Sequence, residues 1–328
     1  MSPRKIIFKC KVGSYLYGTN HSESDEDFYG VFLPSTEDLL SIQKCPEELV
    51  DNVKNSDGPR NTFGDTDCKY FSLQKFLKLA AEGQPGQLEM LFAPKSSILI
   101  ETEEWKEIKE NKSLFLSKNS ISPFLGFALS QAHRAMIKGE NLTLIRTIIE
   151  WGSTLNPEKL NLKLRDHFLV GDKGFAVFNN LMEIKYYTNN FGFPQLSVAG
   201  RDFDAGTKTR NFIDSMKTLE SKYGTRVQSA AENKYDYKSL GHAVRLLGQA
   251  EEFLTKGTIA LPRPDAEYLK TILRGSIDDS SIDWFDLLNK RIDSIKQEAI
   301  LKCAHPEKPD MLKINMLCTK LLRNHLNQ

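Results

Sequence analysis

The sequence predicts an α+β protein, with a mixed N-terminal domain over 1–102 and a mainly helical domain over 103–328. Three observations carry that expectation. Apolar residues recur with a period of two near the N-terminus, as half-buried strands require. From about Glu103 onward they recur at spacings of three and four over 124–138, 142–151, 175–188, 209–222, 238–256, 265–274 and 284–302, the period of amphipathic helices. With 40% hydrophobic and 27% charged residues in 328, the chain can bury one large core or two smaller ones.

Taken in order, Ile6, Phe8, Cys10 and Val12 alternate with Lys5, Ile7, Lys9 and Lys11 in a first strand, which a glycine-containing turn follows. "DFYGVFL" (27–33) is rich in aromatic and β-branched residues and stops at Pro34, so it predicts a second strand. "PSTEDLLSI" predicts a short helix with a Ser or Thr cap. A turn-rich loop spans 51–66, "DCKYF" is strand-like, and "SLQKFLKLAAEG" is a helix with Leu73, Phe76, Leu77 and Ala80 on one face, ended by Gly83 and Pro85. "GFPQLSVAGRDFDAGTK" (192–208) predicts a long loop inside the helical part.

Composition also excludes some roles. The 44 basic and 43 acidic residues leave a net charge of +1, so a nucleic acid would need a local patch rather than a global field. Five dispersed cysteines without a C-x-x-C pair argue against a disulfide framework and against a structural zinc site. Lys9 and Lys11 interrupt the N-terminal apolar run, and no window reaches the ~18 apolar residues of a spanning helix. A cytoplasmic protein with no membrane association is expected.

The chemistry concentrates in "KVGSYLYGTNHSESDEDFYGVF" (11–32). Side chains two apart on a strand share a face, so Asp25 and Asp27 project together while Glu26 points away. Two carboxylates held close disfavour each other's charged form and call for a cation. A solvated acidic loop is one reading. A calcium loop is another, but Tyr29 and Thr36 stand where it needs ligands. In the third reading, Gly13 and Ser14 form a tight turn whose amides and hydroxyl hold phosphate oxygens, and Asp25 and Asp27 follow as ligands for divalent metal. A third carboxylate on a neighbouring strand completes such a site. Asp67 in "TDCKYF" is the candidate, with Asp65 as the fallback.

Gly-Ser, a loop and Asp-x-Asp at a strand start resemble the signature of the DNA polymerase β superfamily of nucleotidyltransferases. With "YFSLQKFLKLAAEGQPGQLEMLFAP" (70–94) and "YDYKSLGHAVRLLGQAEEFLTKG" (235–257) added, the chain resembles the predicted nucleotidyltransferases of that superfamily associated with RNA repair. The resemblance implies a polymerase β-like domain, a short mixed sheet with flanking helices, and a helical domain that closes over the nucleotide. It implies that Asp25, Asp27 and Asp67 hold two Mg²⁺ ions, or Mn²⁺, and that Gly13 and Ser14 hold the triphosphate. Tyr15 stands where such sequences often carry Arg, and Gln84 where they often carry Asn.

In 237–256, Leu240, Ala243, Val244, Leu247, Ala250 and Leu254 make an apolar stripe, while Lys238, His242, Arg245 and Gln249 make a polar one at spacings of four, three and four. Taken alone, the polar stripe suits a solvated face. The resemblance turns Lys238, His242 and Arg245 toward the triphosphate or a nucleic-acid phosphate. Glu89 is equally suited to helix packing, a cap or the site. The expected activity is transfer of a nucleoside monophosphate from an NTP to a hydroxyl with release of pyrophosphate, the acceptor being the 3′ end of an RNA such as tRNA. The alternatives are nucleotidylation of a protein or small-molecule hydroxyl, such as AMPylation, and a non-catalytic nucleotide- or RNA-binding regulator.

Overall fold

Strand β1 (Lys5–Lys11) has neighbours on both sides, and its alternation is not the one the period of two predicts. A β-bulge between Ile6 and Phe8 shifts its register against β2 (Glu26–Leu33), so Ile7 and Phe8 are both fully buried and Ile6 is exposed. The computed structural model describes residues 2–22, 24–42, 45–53, 66–167, 169–170, 175–178, 182–189, 192–199, 201–222, 235–278 and 282–327. They divide into two compact units, Met1–Gln131 with Gly241–Gln328, and Ala132–Leu240. The boundary expected at 102 falls inside the first unit.

The first unit holds a five-stranded mixed sheet in the order β3-β4-β2-β1-β5, with β3 at Glu48–Val53, β4 at Thr66–Ser72 and β5 at Ile98–Glu101. All pairs are antiparallel except β2 with β4, which run parallel. A single turn of helix, α1 (Gly13–Tyr17), joins β1 toward β2. Helix α2 (Thr36–Leu40) carries the expected cap: Ser35 Oγ accepts from the Asp38 amide and Asp38 accepts from the Ser35 amide. Helix α3 (Leu73–Ala81) buries the predicted face of Leu73, Phe76, Leu77 and Ala80. Behind it, Trp105 of α5 (Glu103–Glu110) stacks on Phe8 with ring centroids 3.8 Å apart. Between them, α4 (Pro85–Leu91) starts with proline in its first turn, which costs no hydrogen bond there.

Residues expected to form two helices at 124–138 and 142–151 form one, α6 (Ser122–Ser153). Short α7 (Pro157–Asn161) follows it. The second unit then departs most from expectation. The segment 175–188, predicted helical, contains strands β7 (Phe175–Phe178) and β8 (Met182–Thr188). The predicted loop over 192–208 contains a hairpin of β9 (Pro194–Val198) and β10 (Arg201–Asp204). With β6 (Leu169–Val170) these make a five-stranded antiparallel meander in the order β10-β9-β8-β7-β6. The physical reason is that short runs such as Met182-Ile184-Tyr186 satisfy a period of two as well as a loose helical one, and their β-branched and aromatic content favours the sheet. Helix α8 (Thr209–Lys222) packs Phe212, Ile213, Met216 and Leu219 into a core with Leu196 and Val198 of β9.

Helix α9 (Tyr237–Lys256) buries the whole predicted apolar stripe, from Leu240 to Leu254. The C-terminal part of the first unit adds α10 (Ala266–Leu273), α11 (Trp284–Ser294), which runs on through one π turn at Ile295–Ala299, and α12 (Met311–Leu326). The five cysteines are all unpaired. Among the described residues, no helix is long and apolar enough to cross a membrane.

Candidate active site

Two adjacent parallel strands build the site. Glu26 to Phe32 of β2 pair in register with Thr66 to Ser72 of β4, so Asp27 stands opposite Asp67 and Tyr29 opposite Lys69. Register partners on neighbouring strands share a face and lie about 4.8 Å apart. Further along this face come Val31, fully buried, and Phe71, at 3% exposure. The row thus runs from carboxylates at one end to the hydrophobic core at the other. The carboxylate end opens into a cavity of about 500 Å³ lined in part by Gly13, Tyr17, Asp27, Tyr29, Asp67, Lys69, Glu89 and Arg245.

Gly13 is placed by the sheet itself. The Val12 amide donates to the Asp27 carbonyl at 2.9 Å, extending the β1/β2 pairing by one bond and setting the Gly13-Ser14 turn beside Asp27. Gly13 has φ +63°, the left-handed region, and a Cβ there would come 3.2 Å from Asp27 Oδ2. Both facts select glycine: the backbone conformation suits no other residue well, and the carboxylate occupies the space of a side chain. Ser14 follows in α1 and is half-buried.

The middle acid of the triplet is accounted for separately. Glu26 points away, as predicted, and Lys11 holds it at 2.5 Å while lying over the Tyr15 ring. Asp25 lies one residue before β2, is exposed, and is outside the cavity lining. The structure therefore brings Gly13, Asp27 and Asp67 together and leaves Asp25 at the approach to the strand. Among the described residues, no three His, Cys, Asp or Glu side chains are grouped to hold a metal ion. Asp65 lies outside the described residues.

The cavity's inner wall is a buried charged cluster. Arg245 Nη1 donates to Glu89 Oε1 at 2.6 Å and to Gln249 Oε1 at 2.7 Å, and Gln249 Nε2 donates to the same Glu89 oxygen at 3.0 Å. The Tyr17 hydroxyl donates to the other Glu89 oxygen at 2.8 Å, and the Arg245 guanidinium lies 3.8 Å from the Tyr17 ring centre. Glu89, Arg245 and Gln249 are all buried. Burial pushes the Tyr17 phenol well above its ordinary range, the Arg245 charge pulls it back, and neighbouring Glu89 adds to the rise. Burial also raises the Tyr29 phenol, helped by Glu89 and Asp27. Burial opposes the Arg245 charge, but Tyr17 and Glu89 outweigh it and hold the guanidinium protonated more firmly than usual.

The predicted polar stripe thus divides. Arg245 lines the cavity with its charge already matched, Gln249 serves the same cluster, His242 is half-buried and outside the lining, and Lys238 lies in the first turn of α9, in the Ala132–Leu240 unit. Sequence reasoning missed Tyr17, Tyr29 and Lys69. The signal was present for two of them: Tyr29 and Lys69 follow Asp27 and Asp67 by two, and so share their face. Lys69 in turn is paired with Glu48 at 2.8 Å.

Residues 1–149 match the model of the RNA repair pathway DNA polymerase beta family. The chain is also 30% identical over 283 residues to an uncharacterized 38.9 kDa protein in the nrdC-mobD intergenic region of Enterobacteria phage T4, an alignment covering 83% of each chain. No solved structure matches it.

Proposed function

Because the chain belongs to the RNA repair pathway DNA polymerase beta family, we propose that it transfers a nucleoside monophosphate from an NTP to a hydroxyl of an RNA, such as a tRNA 3′ end. One observation carries the reading: Asp27 and Asp67 stand in register on parallel strands, at the mouth of a cavity whose turn brings Gly13 against Asp27.

The donor set fits a hard divalent cation. Mg²⁺ is held by one or two carboxylates together with substrate phosphates more often than by a full protein cage, so two aligned aspartates and a triphosphate suffice. When bound, the ion neutralises phosphate charge and lowers the pKa of the attacking hydroxyl. Asp27 and Asp67 are the ligands this geometry favours, and Asp25, next along the extended chain, joins them from the approach.

The remaining residues position. The Gly13-Ser14 turn offers backbone amides and a hydroxyl to the triphosphate, in space that a side chain at 13 would fill. Arg245 is committed to Glu89, so its part is to fix the cavity wall through Tyr17 and Gln249. In the reaction, the acceptor oxygen bonds to the α-phosphorus as the bond to the β-phosphate oxygen breaks. Pyrophosphate leaves with that electron pair, and the hydroxyl proton passes to solvent.

The test is incubation with each labelled NTP, Mg²⁺ and total RNA, beside a parallel reaction with protein acceptors. Label on RNA that Asp27→Asn abolishes supports the proposal. Label on polypeptide redirects the acceptor to a protein, and nucleotide binding without turnover by wild type overturns catalysis.

A further inference from the structure

Resting on the nucleotide reading above, we propose that Phe127 is the platform on which the base of the bound NTP stacks. The phenyl ring is 47% exposed and lines the same cavity as Gly13, Asp27 and Asp67. It stands off the core face of α6, whose neighbouring Phe124, Leu125 and Ala128 are all buried. Packing therefore accounts for those three and not for Phe127.

The rest of the lining is divided by chemistry. Asp27, Asp67, Lys69, Glu89 and Arg245 are ionic, whereas Phe127, Val50 and Pro85 are apolar. Val50 is 65% exposed, so two large apolar side chains of this cavity face solvent. A ligand matching both parts needs a flat apolar end and an anionic end able to share a divalent cation. A nucleoside triphosphate has that division, and about 500 Å³ is ample for it. Every base has a π face, so a phenyl platform strengthens binding without reading the base edge.

The experiment compares Mg²⁺-dependent binding of non-hydrolysable NTP analogues with that of inorganic tripolyphosphate, which has the anionic end and no base. In Phe127→Ala, analogue affinity should fall about tenfold to a hundredfold for all four bases, while tripolyphosphate binding stays unchanged. Phe127→Tyr should restore it. Phe127→Trp should also restore it and give fluorescence quenched by the analogues but not by tripolyphosphate. An unchanged analogue affinity in Phe127→Ala overturns the platform, and so does an equal loss of tripolyphosphate, which would trace the effect to the fold. A loss confined to the KM for RNA assigns the ring to the acceptor and also overturns it. If wild type binds neither probe, the function itself fails, an outcome distinct from these.

Discussion

One cavity holds charge in two different ways. At the mouth, Asp27 and Asp67 are half-buried carboxylates that strand register sets side by side. At the inner wall, Glu89 and Arg245 are buried and closed on each other through Tyr17 and Gln249. Two carboxylates on one face can share a divalent cation as ligands. Opposite charges that hydrogen-bond each other compensate inside the protein, although Arg245 Nε is buried without a hydrogen-bond partner. Under the proposed function the first pair takes the metal and the second holds the cavity wall, although both line one space.

The largest break in that comparison is Asp27→Asn. It preserves size and removes one ligand charge, so turnover should fall by roughly 10² to 10⁴-fold while the thermal midpoint stays within a degree or two of wild type. Asp67→Asn should match it. A loss of folding with either variant would place the aspartates with the inner cluster. Next, Arg245→Ala strands Glu89 as a buried uncompensated charge and should cost about 3–5 kcal/mol in urea unfolding. The double change Glu89→Leu with Arg245→Met should recover most of that loss, since apolar residues of similar volume often replace a buried pair without penalty.

A smaller effect tests the cluster's hydrogen bonds. Tyr17→Phe removes one donor to a carboxylate and should cost about 1.5–3 kcal/mol at pH 8. The folded phenol titrates well above its ordinary value of 10, so folding favours the protonated form. That contribution is fully present below pH 10 and is lost as pH rises through the folded value. The stability gap between wild type and Tyr17→Phe should therefore shrink above pH 10. A gap that stays constant would show that burial and the neighbouring Glu89 do not hold the phenol protonated.

The mouth of the cavity was legible in the sequence because its information is local. Gly13 and Asp27 flank one short connection, but the two-residue period also groups Asp25 with Asp27, and it does not apply there because β2 begins only at Glu26. The inner cluster was not legible, because Glu89 and Arg245 are 156 residues apart and the pairing exists only once α4 meets α9. Each half was visible alone: a polar stripe on one helix, an acid among apolar neighbours on another. Their complementary charge was the unused clue. The second sheet escaped for a different reason. Phe175–Phe178 and Pro194–Val198 are four and five residues long, too short for periodicity to separate a strand from a helical turn or a loop.

The finest division lies within the acidic triplet itself, where the structure separates Asp25 from Asp27, the two acids that the sequence groups on one face. Glu26 is held by Lys11, Asp27 faces the cavity, and Asp25 is exposed outside it. Glu26→Gln should leave turnover unchanged, since its partner lies on the other side of the strand. Asp25→Asn should lower turnover about tenfold, less than Asp27→Asn, because an exposed carboxylate is screened by water and shares the cation from one side only. Titrating Mg²⁺ in each variant separates the roles. Losing a ligand that joins from the approach raises the metal requirement more than it lowers the saturated rate, whereas losing Asp27 or Asp67 raises the requirement and lowers the saturated rate alike. Equal losses for Asp25 and Asp27 at saturating Mg²⁺ would mean that the segment before β2 closes onto the site once nucleotide is bound.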